Sequence, residues 1–477
     1  MNSRGCWLAL FAGCSMLAQT APPPMVYLRP IALDAAGQPV RDLFAEDFQI
    51  SDQGKPQHIF FFRQPGEPLS SLGPGDYSNR PGGIAPHTTA ILFDLMNESD
   101  PNRVDTSRVL AESIPQVHPG GPLYVYFLNL SGDLVPVHAI GTEPVGDSTW
   151  LKTFGAELEN SFNALNRARP AGIDREDRVK RTYHALEVLA SQLAALPGLS
   201  DLLWITDHMP VVTNSAPCSG DWVECGLYVA HTAVTLEQDR VSVNPASFSG
   251  VVEPSTSYDL EKIAELTGGR TYIGLPVAEV LRQIARNAAS AYEIAYVPSA
   301  RDWDSRFHKI RVTCERKGVK IRVKTRYYAL PDSRSAEDRQ KDVLQAAYYR
   351  PSDVPDIGLR VEAESTAQGM HLEIRIDPAD ILLSRRNGRF SGALTIVLSA
   401  RSTADHVPSG GLQSRPLGDP LASYANLNLT GEELVAATKN GIPISRDYAI
   451  PAATGRMRVL VLDRNTGRLG SLTFPLH

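Results

Sequence analysis

The stretch Ala90-Ile91-Leu92-Phe93-Asp94 decides how the middle of this chain is read. Four apolar residues run without a polar break and stop at a carboxylate. An amphipathic strand alternates, whereas an unbroken run marks a strand covered on both faces, as in a parallel sheet. Two further runs repeat the pattern: Leu123 to Leu128, and Leu202-Leu203-Trp204-Ile205, which leads into Thr206-Asp207. Helical spacing fills the gaps. Asp100-Pro101 is a start signal, with Val104, Ser107, Leu110, Ala111 and Ile114 on one face. Val179, Tyr183, Leu186, Ala190 and Leu193 form a second apolar face, stopped by Pro197-Gly198. Leu260, Ile263 and Ala264 mark a third helix before Gly268-Gly269, and Val277, Val280, Leu281, Ile284 and Ala288 a fourth. Alternating strands and helices over 88–289 predict an α/β domain with a doubly wound, mainly parallel sheet. Residues 211–256 form a long insertion inside it.

On either side the period changes to two. Residues 25–63 carry short strands separated by Gly37 and Gly54. In 290–330, Tyr292, Ile294 and Tyr296 alternate with Glu293, Ile310, Val312 and Cys314 with Arg311 and Thr313, and, after a turn at Gly318, Val319, Ile321 and Val323 with basic residues. Neither segment has enough strands to be stable alone, so the two are expected to pair as one small β-sandwich unit into which the α/β domain is inserted. The hairpin turned at Gly318 carries Lys320, Arg322, Lys324 and Arg326 on one face, as a solvated strand face or as a ridge for a polyanion. Residues 64–87, rich in Pro and Gly, read as a linker or long surface loop, 331–356 as a helical connector, and 357–477 as a C-terminal β-sandwich.

The N-terminus, MNSRGCWLALFAGCSMLAQTAPPP, has one Arg, a short apolar core and small residues. It reads as a signal peptide over 1–18, cleaved after Ala18, and the protein as secreted or periplasmic. The alternative is a lipoprotein box at Phe11-Ala12-Gly13-Cys14, with a lipid anchor on Cys14. No later stretch is apolar for long enough to predict a transmembrane helix. Of five cysteines, two lie in this leader. Cys218 and Cys225 sit in a polar loop, spaced for a disulfide in an oxidising compartment or, with Glu224 and His231, for a poor metal site. Cys314 falls in a strand pattern and reads as a small hydrophobe.

Net charge is −6 over 477 residues, which argues against nucleic acid as a partner. The nucleophile elbow, the paired-histidine zinc helix and the glycine-rich phosphate loops are missing from the sequence. Asp207-His208 and His184 offer an acid and a base without a nucleophile, so a metal-dependent hydrolase using Asp94, Asp207 and His208 is the weakest alternative. An aromatic ligand box could form only near Trp222.

Four stretches carry a family resemblance: GQPVRDLFAEDFQISDQGKPQHIFFF at 37–62, ALEVLASQLAALPGLSDLLWITDHMP at 185–210, DLEKIAELTGGRTY at 259–272, and the run from Ser290 to Ala329. In them the chain resembles the von Willebrand factor type A domain proteins, and more narrowly a secreted bacterial group common in Acidobacteria. That resemblance implies a non-enzymatic, adhesion-type protein with a protein partner. It also implies a divalent cation, such as Mg²⁺, at the C-terminal edge of the sheet, held by oxygen ligands. Carried over residue by residue, Asp94 takes the place of the first motif Asp, Thr182 that of the second-loop Thr and Asp207 that of the third-loop Asp. Met96 and Glu98 stand where the family has serines, so the site is degenerate, with Asn97, Glu98 or Ser99 as substitute oxygen donors. The other reading of Asp94 and Asp207 is as caps of loops or helix starts. A structural envelope component that binds through its β domains is the remaining functional alternative.

Overall fold

The computed structural model describes residues 25–65, 77–80, 87–97, 100–114, 122–140, 153–167, 175–194, 199–207, 231–236, 240–248, 254–298, 303–331, 335–349, 353–367, 369–402, 405–407, 411–413, 416–452 and 454–476. The leader at 1–24, Glu98, His208, Cys218, Trp222 and Cys225 lie outside them.

The chain opens with short strands: β1 (Val26–Leu28), β2 (Ile31–Leu33), β3 (Phe48–Asp52), β4 (Lys55–Gln57) and β5 (Ile59–Arg63). Strand β4 pairs with β3, but β1, β2, β3 and β5 also find partners more than 200 residues later, as the pairing of Val26 with Tyr296 shows. Strand β6 (Tyr77–Ser78) falls in the Pro- and Gly-rich segment and joins the C-terminal part of the protein.

The middle of the chain builds a six-stranded sheet. Its strands are β7 (His87–Asp94), β8 (Leu123–Leu128), β9 (Leu134–His138), β10 (Leu199–Ile205), β11 (Val241–Ser247) and β12 (Tyr272–Ile273), in the order β12-β11-β10-β7-β8-β9. The ladders from β12 to β8 are parallel, and β9 returns antiparallel on β8. The apolar runs lie at its centre, with Ala90 to Phe93, Leu202 to Ile205 and Leu128 wholly buried. Helices α1 (Asp100–Ser113), α2 (Phe154–Arg167), α3 (Arg175–Ala194), α4 (Pro254–Thr267) and α5 (Val277–Ala288) follow the strands. One core joins Leu92, Trp204 and Val243 to α3 and α4, and another joins Ile91, Phe93 and Leu203 to α1, α2 and α5. Leu110 on α1 and Ile114 just after it are buried as expected, but Val104 is 53% exposed and does not belong to the apolar face.

The return segment holds β13 (Glu293–Tyr296), β14 (Phe307–Cys314), β15 (Lys320–Arg322) and β16 (Arg326–Tyr328). Strand β13 lies between β1 and β5, and β14 lies between β16 and β3. β15 pairs with β2, so consecutive strands reach across to the N-terminal segment rather than to each other. Helix α6 (Ala336–Tyr349) leads to the last part, with strands β17 (Leu359–Thr366), β18 (Gly369–Ile376), β19 (Ser384–Arg386), β20 (Arg389–Arg401), β21 (Asp405–Val407), β22 (Gly411–Gln413), β23 (Pro416–Leu429), β24 (Ile442–Tyr448), β25 (Arg456–Asp463) and β26 (Leu469–Pro475). Helix α7 (Gly431–Asn440) precedes β24 and carries a reciprocal capping box between Thr430 and Glu433. Two antiparallel sheets, β24-β18-β17-β6 and β19-β20-β25-β26 with β23 on β20, enclose one apolar core. Asn79, in the segment read as a linker, is buried here and donates to the carbonyls of Val354 at 3.0 Å and Ile357 at 2.9 Å.

These pairings correct the expected fold class. Among the described residues strands take up 44% and helices 28%, the sheets are mixed, and the fold they form is mostly β rather than a doubly wound α/β protein inserted in a small sandwich. The physical reason is specific. Unbroken apolar runs report burial on both faces, which the central strands share. They say nothing of the rest of the chain, where short or alternating strands outnumber the unbroken runs.

Buried ion pairs join the first and last parts. Glu293 on β13 faces Arg63 at 3.3 Å and Arg468 at 3.8 Å, while Asp380 takes Arg63 and, at 2.9 Å, Arg80. Burial alone would raise the Glu293 carboxyl, but Arg63, Arg468, Arg240 and Arg80 overcome it and hold it at about 2. A depressed carboxylate adds stability above its unfolded value and loses it as pH falls through the folded one. Glu293 is therefore expected to contribute on the order of 3 kcal/mol at neutral pH, lost between about pH 4.5 and 2. Denaturant titrations across that window should show a flatter acid limb in Glu293→Gln than in the native chain.

Among the described residues, no helix is long and apolar enough to cross a membrane, which says nothing of a β-barrel.

Candidate functional site

Strands β7 and β10 are neighbours in parallel register, Phe93 opposite Ile205, so the residues just after each arrive at the same edge of the sheet. Asp94 closes β7 and Asp207 follows β10 by two residues; both are buried, Asp94 completely. The turn after β7, Leu95 to Asn97, folds back on Asp94. The Asn97 backbone amide donates to Asp94 Oδ1 at 3.0 Å, and its side-chain Nδ2 donates to Asp94 Oδ2 at 2.7 Å. This is the local hydrogen bonding that makes Asp a turn former. Trp204 Nε1, from β10, donates to the same Oδ2 at 3.0 Å.

The network continues onto α3. Asn97 Nδ2 also donates to Thr182 Oγ1 at 2.9 Å, and that hydroxyl donates to the carbonyl of Arg178 one turn earlier, also at 2.9 Å. Thr182 is wholly buried. Asp207 Oδ1 accepts from Ser247 Oγ at 2.8 Å, tying the end of β10 to the end of β11. A third loop packs against these. Gly132 has φ +83°, and a Cβ there would sit 2.7 Å from Met96 Cε and 2.5 Å from Arg181 Cδ, so only glycine lets the loop after β8 approach.

Of the sequence-expected ligands, the fold brings Asp94 and Thr182 into one hydrogen-bonded group and places Asp207 at the same edge; Glu98 is outside the described residues. Asn97, offered by the sequence only as a substitute oxygen donor, proves to be the connector. Its position three residues after Asp94 is the signal that finds it.

The donor set is a poor fit for Mg²⁺. An octahedral cation would need oxygens from Asp94 and Thr182 together. The space between those two oxygens is filled by the Asn97 amide nitrogen, bonded to both. Among the described residues, no group of three or more His, Cys, Asp or Glu side chains is arranged to hold a metal ion. Burial pushes the Asp94 carboxyl up to about 6, against the hydrogen bonds that Asn97 and Trp204 donate to it. His184 lies on the exposed side of α3.

The sequence reading missed a second polar cluster. Lys324 and Arg322, read on a solvated strand face, are buried and half-buried respectively. With Arg29 and Arg270 they line a cavity of about 240 Å³ between the ends of α4 and α5 and the return strands.

No protein-family model matches the chain, and no curated protein matches it. Among solved structures, a DUF4848 family protein from Bacteroides thetaiotaomicron aligns over 25% of this chain and 41% of its own, at 10% identity and a TM-score of 0.14. The chain thus spans less than half the length of that structure, and fold and site rest on the geometry above.

Proposed function

We propose that this is an exported, non-enzymatic interaction protein that meets a protein partner at the Asp94 edge of the six-stranded sheet, without needing a cation there. The observation that supports it best is the Asn97 amide bridging Asp94 and Thr182. Those bonds fix the turn after β7 against α3 instead of activating a nucleophile. A loop held rigid before it meets its partner loses less entropy on binding. Loops carried at the ends of a packed sheet are where recognition residues gather. Export is supported by the leader sequence, with secretion, the periplasm or anchoring through Cys14 as the destinations it allows.

One observation favours a second reading, binding through the β domains. Leu421 and Tyr424 on β23 are 45% and 44% exposed, and β23 is an edge strand, paired among the described residues only with β20. Exposed apolar side chains on an edge invite another chain.

Photo-crosslinking separates the two. A photoreactive residue replaces exposed Asp133 beside the Asp94 edge in one variant, and Tyr424 in another. The proposal predicts a protein adduct from position 133 and none from 424. An adduct from 424 alone would contradict it in favour of the second reading.

A further inference from the structure

The cavity behind the sheet has an unusual lining. Arg29, Arg270, Arg322 and Lys324 bring four positive charges to its wall. Asp201 and Glu265 are the nearest acids with assigned partners, and their bonds are already made. Asp201 is bound by His87 at 2.6 Å, by Asn244 Nδ2 at 2.8 Å and more loosely by Arg29 at 3.7 Å. Glu265 accepts from the Thr325 hydroxyl. Glu261 also lines the wall and has an interaction of its own.

Two of the cations have no such partner. Among the described residues, neither Arg270 nor Arg322 makes an ion pair. Arg322 Nη2 donates to the neutral amide oxygen of Asn287 at 2.5 Å. The Arg270 guanidinium lies 5.6 Å over the Tyr272 ring. The two also repel each other: burial first, and then the charge of Arg270, pushes Arg322 below its ordinary value. Helices α4 and α5 end at this cavity, and helix C-termini attract cations. That explains why positive residues gather, but among the described residues the Arg270 guanidinium bonds to none of those carbonyls. Two buried atoms in the same wall, Arg29 Nε and Thr271 Oγ1, lack partners among the described residues as well.

We propose that this cavity binds the carboxylate or phosphate group of a small polar molecule, held between the guanidiniums of Arg270 and Arg322. Guanidinium forks match the planar pairs of oxygens on such groups. Thr271 Oγ1 and Arg29 Nε supply further donors from the wall. At about 240 Å³ the space suits a molecule of a few carbons, below the usual range for drug-sized ligands.

The test is calorimetric titration of the full chain with sodium phosphate and, separately, sodium malonate, each against a sodium chloride control of equal ionic strength. Binding of phosphate alone, malonate alone or both identifies the oxyanion source. In each case Arg270→Gln should weaken it roughly tenfold or more, the loss expected for a charge-assisted pair. Arg270 is exposed, so its replacement spares the fold, and Arg322→Gln, checked for a native melting profile, should act likewise. Chloride-like behaviour of both salts would overturn the proposal. Binding undiminished in both variants would also overturn it, because the anion would then sit elsewhere.

Discussion

Trp204→Ala should lower the melting temperature by on the order of 10 °C, combining a core-cavity cost of about 3–5 kcal/mol with a lost donor. Trp204 is the largest wholly buried side chain among the described residues. It packs in the core with Leu92, Tyr183 and Leu186, so its removal leaves a hole between the sheet and α3. Its indole N–H is also the bond that joins β10 to the Asp94 carboxylate. Trp204→Phe separates these effects. It keeps most of the ring volume and removes the donor, and is expected to cost about 1–3 kcal/mol, the price of a buried acceptor left short of a partner. Thermal melts of the two variants check the ordering. Equal losses in both would mean that packing contributes little and the hydrogen bond dominates.

Asp52→Ala is expected to be comparably severe, at about 3–5 kcal/mol, because it strips a buried anion from several partners at once. Asp52 Oδ2 accepts from the hydroxyls of Tyr327 at 2.8 Å and Tyr296 at 3.0 Å, and Oδ1 lies 3.2 Å from His308 Nδ1. These residues sit on β3, β16, β13 and β14, so one carboxylate ties the opening strands to the returning ones. Burial, with the Asp52 charge beside it, pushes the Tyr296 hydroxyl above its ordinary value, so it stays a proton donor. Without Asp52, the hydroxyls of Tyr296 and Tyr327 lose the carboxylate oxygen that both donate to. Asp52→Asn retains one acceptor oxygen and should recover most of the loss. Denaturant melts of the three proteins decide it, and an Asn variant as weak as the Ala variant would mean that the charge itself is required.

The sequence was informative where burial leaves a one-dimensional trace. Ala90 to Phe93, Leu123 to Leu128 and Leu202 to Ile205 all lie in buried strands, and the alternation of Ile310 and Val312 lies in β14. Partner choice leaves no such trace. Nothing in Tyr77-Ser78 announces that it will pair with β17, or that Asn79 will hold the backbone near Ile357. The doubly wound expectation failed for the same reason, since it extended a correct statement about burial into one about architecture. At the Asp94 edge, Asp94, Thr182 and Asp207 were found through residue type and position, while the connecting role of Asn97 needed the folded turn. Lys324 shows the converse error. Alternating charge predicts a face in solvent or a ridge for a polyanion, yet Lys324 is only 7% exposed, facing a cavity that strands from distant segments enclose.

The central claim is that the Asp94 edge is closed by the Asn97 amide and works without a cation. The direct test is the melting temperature of the mature protein in EDTA and then in millimolar Mg²⁺, Mn²⁺ or Ca²⁺. A cation at 100 times its dissociation constant would add about 2.7 kcal/mol, a shift of several degrees for a domain of about 200 residues. The account predicts no shift from any of the three ions. A rise of that size that disappears in Asp94→Ala or Asp207→Ala would contradict it, because the carboxylates would then be holding a metal that the amide displaces only in its absence.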